Sequence, residues 1–132
     1  RQCDNALELA KCLQSLGGDI EVNYPGLEES PYHEIAKKQF RNGYGAIVTV
    51  RTGSKEKAFS IINSLKIPLI ISNIGDTKTL VIHPESTIAA HISDEEKQQS
   101  GVFEDLIRIS VGIEDIEDLK ADFASAISST TE

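Results

Sequence analysis

The feature that most limits how this chain can fold is a change of period inside one short stretch, Asp105 to Asp115. Ile107, Ile109 and Val111 alternate with Leu106, Arg108 and Ser110, and strand side chains point to opposite faces in turn. Gly112 ends the strand in a tight exit. The carboxylates of Glu114, Asp115, Glu117 and Asp118 then open a segment whose apolar residues, Ile116, Leu119, Phe123, Ala126 and Ile127, recur at helical spacing. A half-apolar strand that feeds straight into an amphipathic helix has to be covered by a helical layer. The opposite strand face carries one guanidinium beside a hydroxyl, and it admits two readings. It is either the solvated rim of a half-buried strand, or an arginine on a rigid element placed to grip a carboxylate, which its planar fork does better than an ammonium.

The same alternation of periods runs through the chain. Residues 1–16 follow helical spacing through Ala6, Leu9, Ala10, Leu13 and Leu16, and Gly17-Gly18 stops them. Asp19 to Tyr24 alternates as a strand before the Pro25-Gly26 turn. Ser30-Pro31 reads as the cap and first position of a second helix, with Ile35, Ala36 and Phe40 on its apolar side. Ala46 to Arg51 is a β-rich run, and Gly53-Ser54 turns into a third helix that faces the core with Ala58, Phe59, Ile61, Ile62 and Leu65. Short strands are expected over 68–72 and 79–83, with the turn Asn73-Ile74-Gly75-Asp76 between them. Residues 84–92 look irregular. Ser93 and Glu96 form a capping box for a short helix to about Ser100. The tail from Ser128 to Glu132 is expected to fray. The order α-β-α-β-α-β-β-α-β-α gives an α/β sandwich: a mostly antiparallel sheet of four to five strands with helices mainly on one face.

Composition narrows the function classes. One domain spans 1–132, and with 39% hydrophobic residues it can bury a core. A net charge of -8 argues against non-specific nucleic-acid or anionic-membrane binding. No apolar run approaches the roughly 20 residues a bilayer span needs. Cys3 and Cys12 would lie about half a turn apart on one helix, so a reduced, cytoplasmic protein is the simpler reading. The chain starts at Arg1 and holds no Met, which reads as a piece of something longer.

The chemistry-bearing residues do not assemble into a self-sufficient active site. His33, His83 and His91 lack a second ligand at metal-binding spacing, and no Cys-x-x-Cys occurs. His33 reads as a first-turn helix residue. No Gly-x-Ser-x-Gly elbow or phosphate-cradling glycine loop is present. Glu114 to Asp118 read as partners of a helix dipole, Asp76 and Lys78 as a solvated turn, and Glu85 as having no assured partner. We therefore expect no catalytic, cofactor-binding or metal-binding residue in this chain.

Recognition adds a sharper expectation. The strings Asn73-Ile74-Gly75-Asp76-Thr77-Lys78-Thr79-Leu80-Val81-Ile82-His83-Pro84-Glu85-Ser86-Thr87 and Leu106-Ile107-Arg108-Ile109-Ser110-Val111-Gly112-Ile113-Glu114-Asp115 resemble the C-terminal part of the Cys/Met-metabolism family of pyridoxal-phosphate enzymes. Tyr24-Pro25-Gly26-Leu27 and Pro31-Tyr32-His33-Glu34-Ile35-Ala36 fit as well. The Asn-Ile-Gly-Asp variant is most similar to O-acetylhomoserine sulfhydrylases, enzymes of transsulfuration and methionine biosynthesis. The resemblance implies a homotetramer whose larger, N-terminal domain holds pyridoxal phosphate on a lysine, with this smaller domain closing over the amino-acid substrate. The helix over 1–16 would lead in from that domain. The resemblance maps the arginine that receives the substrate α-carboxylate onto Arg108, and a residue lining the same site onto Asn73. None of the nine lysines sits in a cofactor-lysine context, so the chain alone is expected to be inactive and to bind no cofactor covalently.

The pattern also departs from the family. Ile88-Ala89 stands where many relatives have Thr-His, and Glu85 stands where a small residue is common. Two alternatives follow: the same domain of a cystathionine or methionine lyase, or a free-standing amino-acid-binding regulatory or assembly domain.

Overall fold

A computed structural model of the chain describes residues 1–130. Its elements are α1 (Gln2–Leu16), β1 (Glu21–Asn23), α2 (His33–Gln39), β2 (Ile47–Arg51), α3 (Lys55–Ser64), β3 (Leu69–Ile70), β4 (Leu80–Ile82), α4 (Asp94–Gln99), β5 (Leu106–Ser110) and α5 (Ile116–Ser128). The order matches the expected one. The strands form one five-stranded sheet in the order β1-β2-β5-β4-β3. Every pairing is antiparallel except β3 with β4.

Helices α1, α3 and α5 cover one face of this sheet. Leu9 and Leu13 of α1, Ile61 of α3 and Leu119 and Phe123 of α5 meet Val48, Val50, Ile107, Ile109 and Val111 there. Burying a side chain of this size contributes about 1.5–3 kcal/mol, so the stability of the fold is concentrated in this layer. Helix α4 buries no residue and α2 buries Ala36 alone.

The helix starts follow from local chemistry. Ser54 Oγ accepts from Lys57 N at 3.2 Å and caps α3. Ser93 and Glu96 form the expected capping box, and the Ser93 backbone N–H holds the Glu96 carboxyl below its ordinary range. Gly17, at φ 65°, ends α1.

The second helix departs from expectation. It starts at His33, with Tyr32 in the cap position and no side-chain cap. Ser30 instead closes a turn: its Oγ accepts from Tyr32 N and its carbonyl from His33 N. Ile35 and Phe40 are 57% and 49% exposed, because α2 lies outside the main helical layer. Phe59 is also partly exposed and packs its ring on His83 at a centroid distance of 4.6 Å. Strand β3 is shorter than expected, because it has a single neighbour, β4, and only two residues pair. At the C-terminus Ser129 and Thr130 donate back to Ser125 and Ile127; residues 131 and 132, the rest of the tail expected to fray, lie outside the described residues.

Candidate functional site

The central strand β5 places Arg108 between Ile82 of β4 and Thr49 of β2, on the sheet face away from the helices. Alternation is the reason: Ile107 and Ile109 point into the helical layer and are 2% and 0% exposed. The face around Arg108 is not the solvated rim that alternation allows. Leu80, Ile82 and Ser110 on it are all buried. Arg108 itself is half-buried. One of its terminal nitrogens donates to the Asn73 carbonyl at 3.3 Å. Its Nε is buried with no hydrogen-bond partner among the described residues. A charged donor left unpaired away from water costs more than a neutral one, so such an atom requires an explanation.

Asn73, the second expected site residue, stands beside Arg108, but it meets the guanidinium through its backbone. Its side-chain Oδ1 turns back to accept from Ile74 N at 2.9 Å. The loop that carries it is fastened to the β5 exit. Gly75 N donates to Ser110 Oγ at 3.1 Å and Ile113 N to the Thr77 carbonyl at 2.8 Å. Asp76 closes an Asx turn on Lys78, whose backbone N–H, as the main cause, holds the exposed carboxyl below its ordinary range. That turn is solvated, as expected.

Three residues behave differently from the sequence reading. Glu114 is not a helix-dipole partner. Its carboxylate accepts from Thr79 N at 2.6 Å and from Thr79 Oγ1 at 2.8 Å, and Asp115 caps α5 instead, accepting from Glu117 N. Gly112 is more than a turn residue. A Cβ there would run into the Thr77 carbonyl and the Glu114 carboxylate, so the chains pass too closely for any side chain. Glu85, expected to lack a partner, is gripped by Lys55 Nζ at 2.7 Å and Lys97 Nζ at 2.8 Å. These two hydrogen bonds pull its carboxyl down to about 2. Ile88 is exposed and Ala89 is buried, with Ala89 N donating to the Pro84 carbonyl.

His33 and His83 take structural positions, and His91 is exposed. His33 opens α2 and its Nδ1 donates to the Pro25 carbonyl at 2.9 Å. His83 is buried, with Nε2 donating to the Glu104 carbonyl at 2.6 Å and Nδ1 facing Ser86. Among the described residues no three metal-ligating side chains converge, and no helix is long and apolar enough to cross a membrane.

A cleft of about 530 Å³ opens at the other end of β5, walled by Arg51, Glu85, Lys97, Phe103 and Asp105 among others. Its size makes it a candidate, but most of its charges are already paired, Arg51 with Asp105 and Lys97 with Glu85 and Asp94. Arg51 donates to Asp105 at 3.0 Å and lies 4.1 Å over the Phe103 ring. Burial alone would raise the Asp105 carboxyl, yet the Arg51 guanidinium and Gly53 N–H hold it below its ordinary range. The buried guanidinium nitrogen without a partner among the described residues belongs to Arg108, outside that cleft.

Comparison with known proteins identifies this architecture. A model of the Cys/Met metabolism PLP-dependent enzymes matches residues 1–128. Homocysteine synthase from Schizosaccharomyces pombe is 44% identical over 128 residues, covering 96% of this chain and 30% of that protein. O-acetyl-L-homoserine sulfhydrylase 1 from Thermus thermophilus is 42% identical, with the same coverage. A crystal structure of an O-acetylhomoserine (thiol)-lyase from Campylobacter jejuni, which carries N′-pyridoxyl-lysine-5′-monophosphate, superposes with a TM-score of 0.91 at 37% identity. It is matched over 96% of this chain and 30% of its own length. The chain thus spans about 30% of the length of these relatives. It belongs to the Cys/Met metabolism family of pyridoxal-phosphate-dependent enzymes.

Proposed function

We propose that this chain is the substrate-side, C-terminal domain of an O-acetylhomoserine sulfhydrylase-like transferase, and that Arg108 anchors the amino-acid α-carboxylate. The observation that carries this reading is the buried, unpartnered Nε of Arg108 beside a terminal nitrogen already held by Asn73. A carboxylate offers two oxygens at the spacing of a guanidinium edge, and would satisfy the open donor with a charge-assisted bond. Mounting that guanidinium on the central strand limits its movement.

The donor set suits the amino acid rather than the cofactor. It offers one guanidinium with a carbonyl and a hydroxyl nearby. Several lysines are already engaged: Lys55 and Lys97 on Glu85, and Lys120 on Glu117. On this reading the cofactor is held by the rest of the protein, where it supplies an electron sink for exchange at the side chain. Arg108 binds the carboxylate, and Asn73, through its backbone, steadies Arg108. The overall reaction would replace the acetate of O-acetylhomoserine by sulfide or a thiol, giving homocysteine or methionine.

The test is Arg108→Ala in the whole enzyme. A lost hydrogen bond to a charged group is worth about 1.5–3 kcal/mol, so kcat/KM for O-acetylhomoserine should fall roughly 10- to 150-fold. Unchanged kinetics would remove Arg108 from the site. Separately, this chain mixed with pyridoxal phosphate should develop no lysine-linked absorbance; a stable chromophore would refute its assignment as the substrate side alone.

A further inference from the structure

We infer that Ser110 is a positioning residue for the carboxylate site: it holds the 73–76 loop so that the Asn73 carbonyl keeps one terminal nitrogen of Arg108 and leaves its Nε unpaired for the carboxylate. This inference rests on the reading of Arg108 as the carboxylate anchor. Arg108 and Ser110 lie two apart on one face of β5, about 7 Å from each other along the strand. Asn73 and Gly75 are likewise two apart in the loop. Arg108 donates to the Asn73 carbonyl at 3.3 Å, and Gly75 N donates to Ser110 Oγ at 3.1 Å. The two bonds form parallel rungs between strand and loop, and both end on loop backbone.

The rungs are unequal. Ser110 is 1% exposed and sits on a short stem, so its oxygen is a fixed point. Arg108 has a long stem with several rotatable bonds, and its exposed contact to Asn73 is long for an N–H···O bond. The Ser110 rung therefore sets the loop, and the loop carbonyl then orients the guanidinium. Gly75 fits this role through its backbone. Its φ of 75° lies in the left-handed region, while a Cβ there would meet nothing within 4 Å, so its need for glycine is conformational. Without the Ser110 acceptor the Gly75 N–H loses its partner, the loop carbonyl drifts, and the Arg108 fork loses its second support.

The experiment uses the full-length holoenzyme, titrated with L-methionine and with L-methioninamide while cofactor absorbance is followed. The amide keeps the amino group and side chain but has no carboxylate, so the affinity ratio isolates the Arg108 contribution. Ser110→Ala should lower that ratio about fivefold by weakening methionine and leaving methioninamide unchanged. Ser110→Thr, which keeps the acceptor, should stay near wild type. In an Arg108→Ala background the further change Ser110→Ala should have no effect on the ratio. Equal weakening of both ligands, or an undiminished Ser110 effect without Arg108, would overturn the positioning role. If Arg108→Ala itself leaves the ratio intact, the failure lies with the anchor reading instead.

Discussion

Removing Glu85 should destabilise the fold by a predictable, pH-dependent amount. The Glu85 side chain is 17% exposed and receives Lys97, 11% exposed, and Lys55, 37% exposed. It thereby ties the segment after β4 to the first residue of α3 and to the middle of α4. A carboxyl lowered from 4.5 to about 2 sets a ceiling of about 3 kcal/mol on the stabilisation. The Lys55 arm is open to solvent and screening, which discounts the ceiling to about 1–2 kcal/mol. The folded value lies below the unfolded one, so the contribution is complete above about pH 4.5 and is lost as pH falls toward about 2.

Glu85→Gln keeps the shape and removes the charge. At pH 7 it should lower the melting temperature by roughly 4–8 °C for a domain of this size. By pH 3 the gap between the two proteins should shrink to well under half. Denaturant unfolding at pH 7, 4 and 3 measures it, and 1 M salt should erode the Lys55 share first. The same change in a Lys97→Met background should cost less, because the partners share one interaction. A gap that stays constant with pH, or widens in acid, would refute the account.

The remaining predictions concern the close contacts that shape the site and the core. Gly112→Ala drives a methyl into the Thr77 carbonyl and should cost about 2–3 kcal/mol in urea unfolding, although the added side chain favours ordinary backbone geometry. Thr79→Val strips two partners from the Glu114–Gly112 junction and should cost about 1–3 kcal/mol. Ser54→Ala removes the α3 cap and should cost about 1 kcal/mol, read as a shift in denaturation midpoint. Tyr24 is fully buried, and burial first, then the nearby Cys3, Asp4 and Tyr44, push its phenol up from 10.0. It should be missing from the tyrosines that ionise in a folded-state ultraviolet titration, and stability should begin to fall above about pH 10 as the unfolded chain ionises.

What the sequence disclosed and what it hid separate by range. Element order was legible because period 2 and period 3.6 are local signals, and Ile107, Ile109 and Val111 declare their face without reference to any other strand. Helix capping was legible at Ser93 for the same reason. It failed at Ser30, where a competing turn satisfies the serine oxygen with Tyr32 N before a helix can use it. The partners of Glu85 were hidden because they lie 30 and 12 residues away, and a lone Glu in a polar segment carries no mark of either. The same holds for Glu114, whose place in an acidic helix start was a sound local reading overruled by Thr79, 35 residues distant.

Arg108 shows why local pattern and tertiary placement must be joined to find a site. Alternation put it on a strand face, but a wet guanidinium there would mean little, since exposed charges contribute about 0–1 kcal/mol whatever they touch. Its significance comes from Leu80, Ile82 and Ser110, which bury the same face, and from a loop that occupies one terminal nitrogen while Nε stays unpaired. Folding to this state keeps a charged donor unsatisfied, which a core built only for stability would avoid by pairing it or replacing it with an apolar residue. On the proposed reading an arriving anion would offset that cost and turn it into binding selectivity for a carboxylate over its neutral analogues. Arg108→Met follows as a discriminating change. If the open donor is held for a ligand, the variant should be as stable as the parent or more so, while losing carboxylate recognition. A variant that instead unfolds several degrees earlier would mean that Arg108 serves the fold, and that the site must be sought elsewhere on the sheet.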